Sequence, residues 1–207
     1  MALINPATRE MQLKIVYYGP AMGGKTTNLV RLHEQVPVAA NSKSKLTSLA
    51  TSSDRTLFFD FLPIETLAVH GFKTKIQLYT VPGQVIYDAT RKLVLRGVDG
   101  IVFVADSQYE KMAENVESFE NLETNLESIG LKLRDTPYVL QYNKRDLPSS
   151  APVDYLEFLL NNRDARVPSF PAVASQCDGI FESLNMITRM LLSKYIPKSP
   201  KVLAKCA

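Results

Sequence analysis

The chain has 207 residues, of which 45% are hydrophobic and 22% charged, a composition typical of one globular domain with a full core. The net charge of +3 is mild and no dense stripe of lysine and arginine is present, so nucleic acid is not the expected partner. Cys177 and Cys206 are too few for a disulfide framework, and no run of about 18 apolar residues could span a membrane. We therefore expect a cytoplasmic protein with one domain over residues 1–196 and a disordered tail over residues 197–207.

A phosphate-binding pattern follows the first predicted strand. Residues 11–18 include an apolar run that indicates a buried strand, and residues 19–26 read GPAMGGKT, which matches G-x-x-x-x-G-K-T. A helix is predicted from Thr26 to Gln35, ending before Pro37. Strand, glycine-rich turn and helix form the context in which this pattern binds nucleotide phosphates.

The residue types in this turn match the chemistry of a phosphate. Glycines let the chain close around the anion, successive N–H groups point at it, and the positive end of the helix lies behind them. Lys25 adds a positive charge for the β- and γ-phosphates, and the Thr26 hydroxyl is a hard oxygen ligand for Mg²⁺. The residues expected to contact the nucleotide here are Gly19, Ala21, Met22, Gly23, Gly24, Lys25, Thr26 and Thr27.

A long polar stretch over residues 38–56 comes directly after the phosphate site. Loops of this length without secondary structure are unusual inside a compact domain and are often functional. We interpret the stretch as a switch that senses the nucleotide, with a mobile surface loop as the alternative.

The remaining elements alternate between strands and helices. Extended segments over 57–62 and 65–69 and an alternating strand over 73–81 indicate antiparallel strands added to a parallel sheet. Further strands are predicted over 98–105, 137–142 and 170–174, and helices over 87–95, 113–129, 152–160 and 179–195. This order predicts an α/β fold with a doubly wound, mostly parallel sheet, an antiparallel edge and helices on both faces.

The residues N-K-R-D that follow a predicted buried strand indicate recognition of a purine base. The Asp146 carboxylate can accept hydrogen bonds from the N1–H and amino groups of guanine, whereas adenine offers no such pair of donors. Lys144 can lay its aliphatic stem along the ring, and Asn143 can tie loops together. After the last predicted strand, Ala174 and Ser175 can offer backbone N–H groups to the guanine carbonyl.

Four segments occur in the order found in Ras-like small GTPases, which the chain resembles over residues 11–196. They are the phosphate loop, the switch segment, a P-G-Q loop over residues 82–84 and the base-recognition motif N-K-R-D over residues 143–146. Residues 24–29 and 80–88, together with 54–61, resemble the MglA type, the bacterial small GTPases of gliding motility and cell polarity. The resemblance implies the Ras-like P-loop NTPase fold, the cofactors GTP or GDP and Mg²⁺, and slow intrinsic hydrolysis of GTP to GDP and phosphate.

The resemblance also implies the roles of residues in the switch segment and in the P-G-Q loop. Thr56 matches the threonine that closes on Mg²⁺ and the γ-phosphate only when that phosphate is present. Gln84 matches the glutamine that orients the attacking water, and the N–H of Gly83 would sense the γ-phosphate. Arg55 could act as an arginine finger in cis, so the catalytic residues implied are Gln84, Arg55 and Lys25.

Two residues depart from the common Ras-like pattern. Thr80 stands where most members have an aspartate that holds a magnesium-bound water, a departure that the MglA type shares, and Asp60 could supply the missing charge. Ala21 stands where glycine is common, in MglA-type proteins as well, and its methyl group would crowd the γ-phosphate.

We expect a GTP-driven molecular switch that controls cell polarity and gliding motility and is recruited to a cell pole. The implied partners are an MglB-like dimer of the roadblock fold, acting as GTPase-activating protein, and motility or polarity effectors; alone, the chain is expected to be a monomer. Ala21 and Thr80 keep open a nucleotide-bound scaffold with negligible hydrolysis. An ATP-using P-loop enzyme is a further alternative, against which Asp146 argues.

Overall fold

The strand that leads into the phosphate loop, β2 (Glu10–Tyr18), lies in the interior of an eight-stranded sheet. Its last four side chains are buried without alternation, as expected of a strand that helices cover on both faces. The computed structural model describes residues 3–5, 7–35, 47–50, 56–65, 73–84, 87–163 and 165–195, and for 47–50 and 56–65 the backbone alone. The expected tail over 197–207 lies outside this part of the chain.

The sheet is mostly parallel with an antiparallel edge. Besides β2, its strands are β1 (Leu3–Asn5), β3 (Thr47–Ala50), β4 (Thr56–Glu65), β5 (Lys73–Thr80), β6 (Gly100–Asp106), β7 (Tyr138–Asn143) and β8 (Ser169–Pro171). Their order is β3-β4-β5-β2-β6-β7-β8, and β1 pairs with the start of β2. Strands β5, β2, β6, β7 and β8 are parallel, while β3, β4 and β1 are antiparallel to their neighbours, which confirms the predicted architecture.

Helices cover both faces of the sheet, as predicted. They are α1 (Lys25–Gln35), α2 (Asp88–Leu95), α3 (Met112–Ser128), α4 (Val153–Leu160) and α5 (Ile180–Tyr195). Successive side chains of β2 point to opposite faces of the sheet, so the core has two halves. Leu13 and Ile15 pack with α1 and α5 on one face, and Val16 and Tyr18 pack with α2, α3 and α4 on the other. None of these helices is both long and apolar enough to cross a bilayer.

Part of the polar stretch over residues 38–56 is a strand and not a structureless loop. Residues 47–50 form β3, which pairs with β4 between Thr47↔Phe61 and Ala50↔Thr56. A strand ladder is made of backbone hydrogen bonds, so an edge strand needs no apolar side chains and is hidden from a search for apolar alternation. Arg55 lies outside the described residues, and Thr56 begins β4.

The extended segment predicted over 57–62 does not end before Pro63 but continues to Glu65, and the rest of the second predicted segment, 66–69, lies outside the described residues. β4 runs through Pro63, which pairs with Gln77 of β5. Pairing with β3 covers only Thr56 to Phe61, so Pro63 lies where no ladder bond to β3 is required. A proline, which has no N–H, is tolerated at such an edge position.

The last strand, β8, is shorter than the predicted segment over 170–174. It ends at Pro171, and the chain then turns into a short 3₁₀ helix over Ala174–Gln176. The Ala174 N–H donates to Oδ1 of Asn143 at 2.9 Å instead of continuing the ladder. The segment after β8 is therefore shaped by a contact with the base-recognition motif.

Removing the ring of Phe119 tests the core between α3 and the sheet. Phe119 is 2% exposed and lies edge-to-face on Phe103, with ring centroids 4.8 Å apart. We expect Phe119→Ala to lower the free energy of unfolding by about 3–5 kcal/mol, measured by urea denaturation. The control Phe158→Ala removes a ring on α4 that is 66% exposed and should change it by less than about 0.5 kcal/mol. Equal losses in the two variants would contradict the packing described.

The carboxyl of Glu157 on α4 gives the stability a pH dependence. Burial opposes its ionisation, but hydrogen bonds with Ser169, Tyr142 and Asn161 outweigh burial and lower its pKa below the usual value near 4.5. A lowered pKa stabilises the folded state above the unfolded-state pKa, and this contribution is lost as the pH falls through the folded-state pKa. We expect Glu157→Gln to cost roughly 1 kcal/mol at pH 7 and less at pH 3.

The measurement is urea unfolding of wild type and variant at both pH values. Glu127→Gln, at an exposed position near the end of α3, serves as the control and should show no such convergence. A difference for Glu157→Gln that grows toward pH 3 would refute the assigned hydrogen bonds.

Candidate nucleotide-binding site

The loop over residues 19–24 turns tightly between β2 and α1. Gly19 and Gly24 have φ angles of 141° and 101°, which L side chains rarely adopt. A Cβ on Gly19 would lie 2.1 Å from the Val104 carbonyl oxygen, and one on Gly24 would lie 2.1 Å from Nδ2 of Asn143. Both positions thus require glycine, because of the backbone φ angle and because neighbouring atoms leave no room for a Cβ.

The backbone donors of this loop fit an anion. Among the described residues, the N–H groups of Ala21, Met22 and Gly24 donate to no acceptor, while the Gly23 N–H donates to the Pro20 carbonyl at 3.3 Å. Helix α1 starts directly behind the turn, so its positive end faces the same region. Such a set of donors suits phosphate oxygens. The Met22 side chain, 71% exposed, points to solvent.

Lys25 folds back into the turn. Its Nζ donates to the carbonyl oxygens of Gly19 at 2.9 Å and Pro20 at 2.6 Å, and the residue is only 6% exposed. A positive charge therefore lies inside the phosphate loop. Thr26 and Thr27 follow on the first turn of α1, both half-buried, and the Thr26 hydroxyl is an oxygen ligand of the kind that suits Mg²⁺.

Asn143 joins three loops that are distant in sequence. Its Nδ2 donates to the Gly23 carbonyl at 2.9 Å, and its Oδ1 accepts from the Ala174 N–H at 2.9 Å. The side chain is buried, so no water competes for these bonds. The phosphate loop, the base-recognition motif and the segment after β8 are therefore held at fixed distances from one another.

Lys144 is held by a residue that the sequence reasoning missed. Its Nζ pairs with Oδ2 of Asp106 at 2.6 Å, and Asp106 is fully buried. Lys144 itself has a φ of 65°, a conformation rare outside glycine. Together these contacts fix the lysine stem where a base could stack on it. The available signal was an acid at the carboxyl end of the apolar strand β6.

The residues expected to read guanine differ in what they can offer. Asp146 is exposed and accepts no hydrogen bond from the described residues, so both carboxylate oxygens are available to a ligand. The Ala174 N–H, which we expected to serve the guanine carbonyl, donates to Oδ1 of Asn143 in this structure. Of the pair, Ser175 keeps an N–H without an acceptor in the described chain.

The P-G-Q loop touches the phosphate loop. The Val81 N–H donates to the Tyr17 carbonyl at 3.3 Å, which brings the chain after β5 beside the end of β2. A Cβ on Gly83 would lie 2.3 Å from the Ala21 Cα and 3.0 Å from its Cβ. The backbone of Ala21 therefore lies against Gly83, and Gln84 follows, half-buried.

Other predicted residues are only partly placed. Thr80, fully buried at the end of β5, lies opposite Tyr17 in the sheet register. Thr56 and Asp60 are described by backbone alone, in the part of β4 that precedes its pairing with β5 at Phe61. Whether their side chains reach a metal is therefore outside what is described, as is Arg55 altogether.

A second residue missed from the sequence is Arg91, which is fully buried under the P-G-Q loop. Its guanidinium donates to the carbonyl oxygens of Pro82 and Gly83. The sequence shows only an arginine on a short amphipathic helix, which usually lies at the surface.

Residues 14–193 match the Ras family. The chain is 52% identical over 194 residues to the Mutual gliding-motility protein MglA of Myxococcus xanthus (strain DK1622), which covers 94% of this chain and 97% of that protein. It is 24% identical to the Ras-related protein Rab-13 of Canis lupus familiaris and 25% identical to that of Rattus norvegicus, in both cases over 87% of this chain and 80% of the relative. These matches confirm the resemblance carried by the motifs: the chain belongs to the Ras family of small GTPases and within it to the MglA type.

Proposed function

We propose that the protein binds GTP and GDP with Mg²⁺ and uses their exchange and hydrolysis to control gliding motility and cell polarity. The observation that carries the proposal is the pair of bonds made by Asn143, which join the N-K-R-D motif to the Gly23 carbonyl of the proposed phosphate loop and to the Ala174 N–H. The name of the 52% identical relative supports the cellular role. The proposed G domain spans residues 1–196.

The donor set assigns each part of a nucleotide to its own residues. The phosphates would lie on Lys25 and on those N–H groups of residues 21–24 that have no acceptor in the described chain. Asp146 and Ser175 would contact the base beside Lys144. Mg²⁺ would be held by the hydroxyls of Thr26 and Thr56 and would supply charge neutralisation between the β- and γ-phosphates.

Hydrolysis is proposed to depend on positioning by this chain's own groups. Gln84 would orient the attacking water in line with the bond to the leaving oxygen, and the Gly83 N–H would bind a γ-phosphate oxygen. Lys25 and Arg55 would stabilise the negative charge of the transition state. The contact between Ala21 and Gly83 supports a site in which the phosphate loop and the P-G-Q loop act on the same phosphate.

The partners proposed are an MglB-like dimer of the roadblock fold as GTPase-activating protein and effectors of motility or polarity. GTP would order the switch segments for effector binding, and GDP would release them. The protein is proposed to be monomeric alone and to be recruited to a cell pole.

The base preference tests the proposed function directly. Denaturing the purified protein should release GDP or GTP, and GTP should outcompete ATP in binding. Asp146→Asn should weaken GTP binding roughly ten- to hundredfold, because each hydrogen bond to a charged group contributes about 1.5–3 kcal/mol. The same variant should gain affinity for xanthosine triphosphate, whose 2-oxo group accepts from an amide.

The matched control is Asp154→Asn, the same chemical change at an exposed position of α4. It should leave all affinities unchanged. A preference of the wild type for ATP would overturn the proposed function.

Single-turnover phosphate release tests the catalytic assignments. Gln84→Ala and Arg55→Ala should each lower turnover stimulated by the MglB-type partner, by about 10³–10⁵-fold for the arginine, with nucleotide affinity near that of wild type. Gln108→Ala, a surface glutamine that bonds Glu110, is the control. Unchanged turnover in both test variants would refute these roles. Absence of phosphate release in the wild type, with and without partner, would favour the nucleotide-bound scaffold.

A further inference from the structure

A fully buried arginine lies directly beneath the P-G-Q loop. Arg91, on α2, donates from Nε to the Pro82 carbonyl at 2.9 Å and from Nη2 to the Gly83 carbonyl at 2.5 Å. Its remaining nitrogen, Nη1, donates to Oδ1 of Asn121 at 2.5 Å and approaches the Tyr18 hydroxyl at 3.5 Å. The planar fork of one side chain therefore holds two successive carbonyl groups of the loop.

The guanidinium of Arg91 forms no ion pair within the part of the chain that the structure describes. Among the described residues no carboxylate lies within ion-pairing distance of Arg91. Arg91 is linked to the carboxylate of Asp88 only through side-chain amides, because Oδ1 of Asp88 accepts from Asn121 at 3.2 Å and from Asn125 at 2.8 Å. Asp88 itself forms an ion pair with Lys92. Burial of a cation is unfavourable unless its donors are bonded, and here two of the bonds go to the loop backbone.

The direction of the two carbonyls determines where the neighbouring N–H groups point. All described peptide bonds are trans, and in a trans peptide the C=O and N–H groups point in opposite directions. With the carbonyls of Pro82 and Gly83 directed at Arg91, the N–H groups of Gly83 and Gln84 point away from it. Neither N–H has an acceptor in the described chain, and Gly83 lies against Ala21 of the phosphate loop.

We propose that Arg91 is a positioning residue that turns the N–H groups of Gly83 and Gln84 toward the terminal phosphate of GTP. The proposal rests on the proposed function, since it assumes a triphosphate in the phosphate loop. Its specific consequence is that Arg91 distinguishes GTP from GDP: it acts only on contacts that the γ-phosphate makes. GDP, which lacks this group, gains nothing from the orientation of these peptides.

The test compares the affinities of GDP and of a non-hydrolysable GTP analogue, by calorimetry, in wild type and Arg91→Lys. Lysine keeps the charge but lacks the planar fork, so it cannot donate from two separate nitrogens in the positions that Nε and Nη2 occupy. We expect the preference for the GTP analogue over GDP to fall about five- to tenfold, as for one lost hydrogen bond, with GDP affinity within twofold of wild type. Single-turnover hydrolysis should fall at least as much, because the loop that carries Gln84 is misplaced.

Two controls separate loop orientation from packing. Arg96→Lys makes the same change at an exposed position at the end of α2 and should alter neither affinity. Tyr18→Phe removes the hydroxyl near Nη1 but keeps both carbonyl bonds, so it should retain the preference. An unchanged preference in Arg91→Lys, or an equal loss in Tyr18→Phe, would overturn the proposal.

Amide chemical shifts test the N–H contacts on which the proposal depends even if Arg91→Lys does not fold. In ¹⁵N-labelled wild type, the Gly83 and Gln84 amide resonances should move when GDP is replaced by the GTP analogue. Resonances that stay in place would overturn the role of Arg91 while leaving GTP binding intact. A wild type that binds neither nucleotide would instead refute the proposed function itself.

Discussion

The buried side chain of Asn143 aligns parts of the fold that come from distant points of the chain. Parallel strands bring their carboxyl ends to one edge of a sheet, but they do not fix how the loops beyond those ends lie. Asn143 supplies that alignment with two hydrogen bonds, one to the Gly23 carbonyl and one from the Ala174 N–H. The shape of the phosphate loop therefore depends on residue 143 as much as on its own glycines.

Three cations lie at this edge, Lys25 and Arg91 buried and Lys144 half-buried, and the groups that hold them differ. Lys144 is neutralised by the carboxylate of Asp106, whereas Lys25 and Arg91 donate to backbone carbonyl oxygens. Carbonyl groups carry no net charge, so the bonds to Pro82 and Gly83 hold the Arg91 side chain without cancelling its charge.

The sequence was sufficient where local pattern and tertiary structure agree. The glycine turn, the apolar strands β6 and β7 and the amphipathic helix α3 were predicted because their own residues determine them. The polar strand β3 and the passage of β4 through Pro63 were not, because ladder bonds depend on the neighbouring strand and not on side chains. Asp106 was missed because its partner Lys144 lies 38 residues further along the chain. Arg91 was missed because its partners lie 8 to 73 residues away. No local pattern records contacts over such separations.

The contact between Ala21 and Gly83 couples two positions that are far apart in sequence. The backbone of one fills the space that a side chain on the other would need, so the pair shares a single small volume. A larger group at position 21 would displace the peptide of residue 83 and, with it, the two carbonyls that Arg91 holds. The residues at positions 21, 83 and 91 therefore depend on one another through the position of this one peptide.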